Sequence, residues 1–312
     1  MTSGQQAEPF PPTAADWGIA FVYGTLSCAW VHWLVPPDLV TPYLAGTGFK
    51  PALFNGQALV NIDFQAYTAS ASYGLEMTNE VELNLVVVPE AREASAPAIP
   101  LPQYLVGMDQ TKLIGNFRLA VSCDDLVAVY YGRKVFGENK YPGTFAYTIP
   151  NVNGQSSDDM SAMTRWDIDA FDSPTPIPLT APADPPPTPQ KGAEICRVTI
   201  NLAGLGGRIA VPSAFVRYSQ WPAVPPPTDD PASHGVTRRP AGSHWNVLGP
   251  HLLYMLDANA PTPVSLTLGP STGPMAQALK TLGLAAARPA AVMTFQYQPA
   301  AVEGRPFFAD LP

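Results

Sequence analysis

The sequence predicts a mainly β protein, a barrel or sandwich with few short helices, and three observations predict it. Val60–Ala66 and Glu80–Leu85 alternate apolar and polar residues with a period of two. Further short apolar runs are separated by Gly, Pro, Asp and Asn, the punctuation of all-β domains. Of the 312 residues, 46% are hydrophobic and only 13% are charged, which fits a sizeable core rather than a disordered chain.

Taken in chain order, Gly18–Pro37 holds no formally charged residue. It contains His32, Gly24 and Thr25, ends in Pro36-Pro37, and lacks basic flanks. It therefore reads as a buried strand pair rather than a membrane span. Pro36–Leu44 reads as a short helical turn. In Val60–Ala66, residues Val60, Ile62, Phe64 and Ala66 share one face, with Asn61, Asp63 and Gln65 on the other. Glu80–Leu85 puts Glu80, Glu82 and Asn84 together. That polar face is either the solvent side of an antiparallel sheet or a polar interior. Further strands are expected at Phe117–Cys123, Leu126–Tyr131, Ile195–Leu202, Arg208–Val211, Val264–Leu268 and Val292–Gln298. Pro274–Leu282 reads as a helix with Met275, Leu279 and Leu282 on its core face. His244–Leu256 reads as a second helix, broken near Gly249-Pro250.

Eight prolines crowd Ser173–Gln190, and Pro225-Pro226-Pro227 marks a second such stretch near 222–235. Both are expected as extended surface insertions or arms. Neither half of the chain has a complete set of strands by itself. One domain spanning 1–312 with two proline-rich insertions is therefore expected.

Composition also excludes function classes. The net charge is −8 and the first basic residue is Lys50, so no basic stripe exists to hold nucleic acid. Cys28, Cys123 and Cys196 form no CxxC pair or disulfide framework. The first fifteen residues lack the basic start and apolar run of a signal peptide. A cytoplasmic protein with no membrane association follows as the expectation. The four histidines show no metal-ligand spacing, so no metal site is expected.

The segment Tyr131–Pro142 carries Lys134 and Lys140, two of only six lysines. A free lysine has a pKa near 10.4, so only about 0.1% or less is neutral at pH 7. It becomes a nucleophile only where its surroundings strip that proton. Gly132, Gly137 and Pro142-Gly143 break the segment into turns that can build such surroundings.

The run Phe117–Tyr141 resembles the central segment of acetoacetate decarboxylases. The similarity lies in an apolar run, Asp124, a second apolar run at Leu126–Tyr131, then Gly132-Arg133-Lys134-Val135 and Gly137-Glu138-Asn139-Lys140. The spacing from glycine to lysine is kept without a gap. Leu59–Asp63, Thr78–Glu82, Leu34–Leu39 and Val264–Val302 resemble other parts of that family. The resemblance implies a closed, mainly antiparallel β-barrel with a central pocket, usually a homo-oligomer, using no cofactor. It implies a Schiff-base nucleophile at Lys140 acting on a small or medium keto acid. Glu80 would be the proton-shuttling carboxylate, and Asp63, Glu82 and Arg133 would contact substrate. Decarboxylation is the first reading. An imine-forming aldolase or dehydratase is the second, and a non-catalytic barrel binding an apolar ligand is the third. Two positions depart from the pattern: Tyr141 replaces the family's second lysine, and Glu138 replaces an aromatic. The family's N-terminal arginine also has no counterpart in Phe21–Trp33. A carboxylate beside Lys140 raises its pKa unless Glu138 points to solvent.

Overall fold

The structure is a computed structural model describing residues 21–69, 77–150, 164–183, 186–210, 213–223, 238–297 and 301–310. Its strands in chain order are β1 (Phe21–Val35), β2 (Phe49–Pro51), β3 (Leu53–Phe54), β4 (Gln57–Ala69), β5 (Met77–Pro89), β6 (Gly115–Cys123), β7 (Lys140–Thr148), β8 (Arg165–Asp172) and β9 (Glu194–Asn201). After these come β10 (Arg208–Ala210), β11 (Ala214–Trp221), β12 (Arg239–Val247), β13 (His251–Met255), β14 (Val264–Leu268), β15 (Ala291–Tyr297), β16 (Ala301–Glu303) and β17 (Phe307–Phe308). The helices are short: α1 (Pro37–Leu44), α2 (Leu101–Leu105), α3 (Leu126–Phe136) and α4 (Pro274–Thr281). A mainly β chain with few helices is what the alternation predicts.

The pairings trace a circuit that returns to its start. β1 pairs β4, then β5, β6, β11, β12 and β16 follow in turn, and β16 pairs β1. A second run leaves the circuit at β6 and continues through β7, β8, β9 and β14. The pattern is not purely antiparallel, because β6 runs parallel to both β7 and β11. A parallel neighbour needs a crossover connection. Helix α3 supplies it between β6 and β7.

That helix corrects one sequence expectation. Leu126–Tyr131 is not a strand but the start of α3. Short apolar runs rich in β-branched and aromatic residues do not distinguish strand from buried helix. The ends decide it. Asp125 caps the N-terminus, accepting from the amides of Val127 at 2.8 Å and Ala128 at 3.3 Å. Gly137, with φ 68°, closes the C-terminus by donating to the Arg133 carbonyl.

Two further expectations change. Gly18–Pro37 is not a strand pair: its described part is one 15-residue strand, β1, which crosses the molecule and pairs β4 along most of its length. His244–Leu256 is not a helix but the end of β12 and all of β13. There Gly249-Pro250 marks the turn between strands. α1, α4 and β14 fall where the sequence puts them. The proline-rich stretch at 173–190 has no helix or strand among its described residues. Most of 222–235 lies outside the described residues. Among the described residues, no helix is long and apolar enough to cross a membrane.

The apolar face of β4 and β5, with Val60, Ile62, Phe64, Val81 and Leu83, packs into one core with Trp166, Ile168, Ile195, Val198 and Leu279. The opposite face of the same strands is buried too, and it is polar. Asn61, Asp63, Gln65, Glu80, Glu82 and Asn84 are all at most 2% exposed. The alternation that reads as polar-out in a two-layer sheet is therefore polar-in. The circuit of strands surrounds that face.

Candidate active site

Polar side chains from seven strands meet inside the circuit. β5 supplies Glu80 and Glu82, β4 supplies Asp63, Gln65 and Tyr67, and β1 supplies Tyr23. Arg118 comes from β6, Lys140 from the first position of β7, Arg217 from β11 and Glu303 from β16. Register places Asp63 opposite Glu82, and Gln65 opposite Glu80. Glu82 faces Val121, which in turn pairs Lys140. The strand alternation therefore brings these groups to one level.

Lys140 is the centre of the cluster. Its Nζ lies 2.7 Å from Glu80 Oε2 and 3.4 Å from Glu138 Oε2. Tyr67 Oη donates to the same Glu80 oxygen at 3.0 Å. Arg118 Nη1 reaches Glu138 Oε1 at 2.7 Å and Glu303 Oε1 at 3.8 Å. Arg217 Nη1 is 3.3 Å from Glu303 Oε2, and its Nη2 is 3.8 Å from Glu82. Tyr23 Oη and Ser243 Oγ both donate to Glu303, at 3.1 and 2.5 Å. Taking a charge out of water costs several kcal/mol unless it is paired and hydrogen-bonded. The cluster alternates cations and carboxylates, which pairs its charges, while among the described residues Glu138 Oε2, Arg118 Nε and Arg217 Nη2 have no hydrogen-bond partner.

The electrostatics follow from burial set against pairing. Burial pulls the Lys140 ammonium down, but Glu138 and Glu80 outweigh it and hold its pKa well above the ordinary lysine range. Burial pushes the Glu80 carboxyl up, yet Lys140 and then Arg217 prevail and bring it down to about 2. Glu82 has no lysine at hand. Burial raises it to about 7 against the pull of Arg217. Asp63 goes well up, through burial and then Glu82. It accepts from Cys28 Sγ at 3.0 Å and Gln65 Nε2 at 2.8 Å. At neutral pH the site therefore holds a charged lysine and an ionised Glu80.

A cavity of about 470 Å³, counting its open mouth, leads to Lys140. Phe21, Tyr23, Tyr67, Tyr131 and Phe136 give it apolar walls, while Lys140, Glu138 and Glu303 are its buried charged members. Helix α3 forms one side, and Gly132 is the point of closest approach. A Cβ there would lie 2.6 Å from Glu138 Oε2 and 2.9 Å from Lys140 Cδ. The glycine expected as a turn residue is instead the gap in a helix that admits both side chains.

The predicted site residues separate into two groups. Lys140 and Glu80 come together. Asp63 and Glu82 are buried in the same cluster but do not line the cavity. Arg133 does not line it either. Its Nη1 donates to the Lys140 carbonyl at 3.0 Å, bracing the backbone beneath the lysine. Lys134 is exposed, with Nζ 2.8 Å from Tyr130 Oη. Glu138 does not point to solvent: it is 3% exposed and turned onto Lys140. Sequence reasoning missed Arg118, Arg217 and Glu303. The signal was present for the arginines, since each interrupts an apolar strand run, Phe117-Arg118-Leu119 and Val216-Arg217-Tyr218. The guanidinium groups of the cluster come from β6 and β11. Among the described residues, no three His, Cys, Asp or Glu side chains gather in metal-binding geometry.

Solved structures with an acetoacetate decarboxylase-like fold match this backbone over nearly its whole length. The chain has this fold. The enduracididine biosynthesis enzyme MppR, solved with pyruvate, matches with a TM-score of 0.55 at 14% identity, over 95% of this chain and 93% of that one. An acetoacetate decarboxylase-like enzyme from Sphingomonas wittichii matches with a TM-score of 0.55 at 13% identity, over 93% and 92%. The acetoacetate decarboxylase of Legionella pneumophila matches with a TM-score of 0.53 at 11% identity, over 99% and 91%. No family model matches the sequence, and no curated protein matches it. The match to these structures is one of backbone, at 11–14% identity.

Proposed function

We propose that this chain is a lyase that forms an imine between Lys140 and the keto carbon of a small or medium keto acid. The observation that carries the reading is the placement of Lys140 Nζ at the end of an apolar-walled cavity, 2.7 Å from Glu80. In this reading the ammonium gives its proton to a neighbouring carboxylate, and the free amine adds to the carbonyl. Loss of water then leaves an iminium ion. The iminium withdraws electrons, so CO₂ can leave from the carbon α to it and give an enamine, which is reprotonated and hydrolysed. Glu80, the expected proton shuttle, pairs with the ammonium and holds it in place for imine formation. Asp63 and Glu82, expected to contact substrate, sit instead behind the cavity, and Arg133 fixes the lysine's backbone. The pairing circuit supports a closed barrel around this cluster. Three buried free thiols, Cys28, Cys123 and Cys196, support a reducing, cytoplasmic setting.

A specific observation favours the second reading, aldol or dehydration chemistry on the same imine. The decarboxylases depress their lysine by desolvation and a second cation. Here two carboxylates hold the ammonium instead. Carboxylates beside an iminium ion are bases for the α-proton, and enamine formation by proton removal is the entry to aldol and dehydration steps.

One experiment tests both readings. The protein is incubated with acetoacetate, pyruvate and longer keto acids plus cyanoborohydride, and any adduct is located by peptide mapping. The expected result is an adduct on Lys140 that is lost in Lys140→Ala. Release of CO₂ during turnover then selects decarboxylation over the alternatives. Absence of an adduct with every substrate, together with binding of apolar ligands, would replace both readings with a binding barrel.

A further inference from the structure

We propose that Glu138 is a catalytic base in its own right, the group that takes the Lys140 proton and then the α-proton of the imine. This rests on the imine reading above and assigns a step to a residue that the family resemblance treats as a departure.

The geometry separates the two carboxylates beside the lysine. Glu80 turns one oxygen to its partners: Lys140 and Tyr67 both contact its Oε2, and Glu80 does not line the cavity. Glu138 divides its oxygens. Oε1 is tied to Arg118 at 2.7 Å. Oε2 is buried, accepts no hydrogen bond among the described residues, and sits 3.4 Å from Lys140 Nζ. A buried carboxylate oxygen without a donor costs free energy on the order of 1–3 kcal/mol. Glu138 lines the cavity beside the lysine. The position is built to keep it there. Gly137 turns the chain at the end of α3, and the Glu138 amide donates to the Gly132 carbonyl at 3.1 Å. Gly132 leaves the gap that Oε2 occupies. Arg118 fixes the other oxygen, so the carboxylate presents one free edge to the reacting carbon.

The steps balance. Glu138 carboxylate takes a proton from the Lys140 ammonium, giving a neutral amine and a carboxylic acid. The amine adds to the carbonyl, and the acid returns its proton to the departing hydroxyl, so water leaves and the carboxylate is restored. The carboxylate then takes the proton from the carbon α to the iminium, leaving a neutral enamine. In the decarboxylating direction the enamine arises by loss of CO₂, Glu138 takes up a proton from solvent, and it then delivers that proton to the α-carbon.

The test uses the full chain with acetone and pyruvate as probes in D₂O. Deuterium entry at the α-carbon is followed by NMR, and cyanoborohydride trapping counts competent Lys140 sites in the same sample. Exchange is expressed per trapped site, so a partly unfolded variant does not distort it. Glu138→Gln is expected to keep measurable trapping while exchange per site falls about 100-fold or more, the contribution of a general base. Glu138→Asp keeps the charge facing Arg118 and is expected to retain part of the exchange. Equal exchange per site in wild type and Glu138→Gln would overturn this assignment and leave the imine intact. No trapping with either probe in wild type would instead overturn the imine reading, and this one with it.

Discussion

Substituting Gly132 by alanine tests the close approach on which the site depends. The added Cβ would stand 2.6 Å from Glu138 Oε2, 2.9 Å from Lys140 Cδ and 3.0 Å from Glu138 Cδ. Ordinary contact begins at 3.4 Å, so Oε2 must retreat by 3.4 − 2.6 = 0.8 Å. The helix itself gains from the change. Alanine in a helix interior is favoured over glycine by about 0.8–1 kcal/mol. Forcing an extra methyl into a packed site costs about 1–3 kcal/mol. These terms nearly cancel, so stability is expected to move by less than about 2 kcal/mol, a shift of a few degrees in Tm. The site fares worse, because a displacement near 1 Å costs about 100-fold in rate. The prediction is thus a stable protein with trapping of Lys140 by pyruvate and cyanoborohydride slowed about 10- to 100-fold. Differential scanning calorimetry and peptide mapping read the two quantities. A variant that traps at the wild-type rate would show that Gly132 does not set the geometry of Lys140 and Glu138.

Two other predictions concern folding. His32 is buried, neither ring nitrogen has a hydrogen-bond partner among the described residues, and burial and then His251 bring its pKa down to about 3 from 6.5. The folded pKa is the lower one, so below pH 6.5 the unfolded chain takes a proton that the folded chain refuses. Wild-type stability is therefore lost through His32 as pH falls from 6.5 towards 3, by at most about 5 kcal/mol. His32→Phe is expected to flatten that part of a Tm–pH curve, and an unchanged curve would refute the assignment. Asp125 caps α3 and also accepts from Thr78 Oγ1 at 3.0 Å. Asp125→Ala is expected to cost about 1–2 kcal/mol by urea unfolding, and a cost near zero would refute the capping role.

Sequence alone determined the mainly β class, because period-two alternation and turn residues act locally. It also determined which strands carry acid: Asp63 on β4, and Glu80 and Glu82 on β5, each on one face by alternation. The gapless spacing to Lys140 singled out the lysine. What sequence could not decide is which way those faces look. A polar face reads the same whether it meets water or the inside of a circuit of strands, and only the pairing of β16 with both β1 and β12 closes that question. Leu126–Phe136 was likewise ambiguous. Its side chains suit a strand, and the Asp125 and Gly137 caps made it a helix. The partners of Lys140 were beyond reach for a related reason. Arg118, Arg217 and Glu303 are separated from one another by 86 residues or more, and long-range side-chain meetings leave no periodic trace. The sequence placed Glu138 beside Lys140 in the chain. Only the tertiary structure turned it inward, because Gly137 reverses the backbone, Gly132 leaves room, and Arg118 compensates its charge.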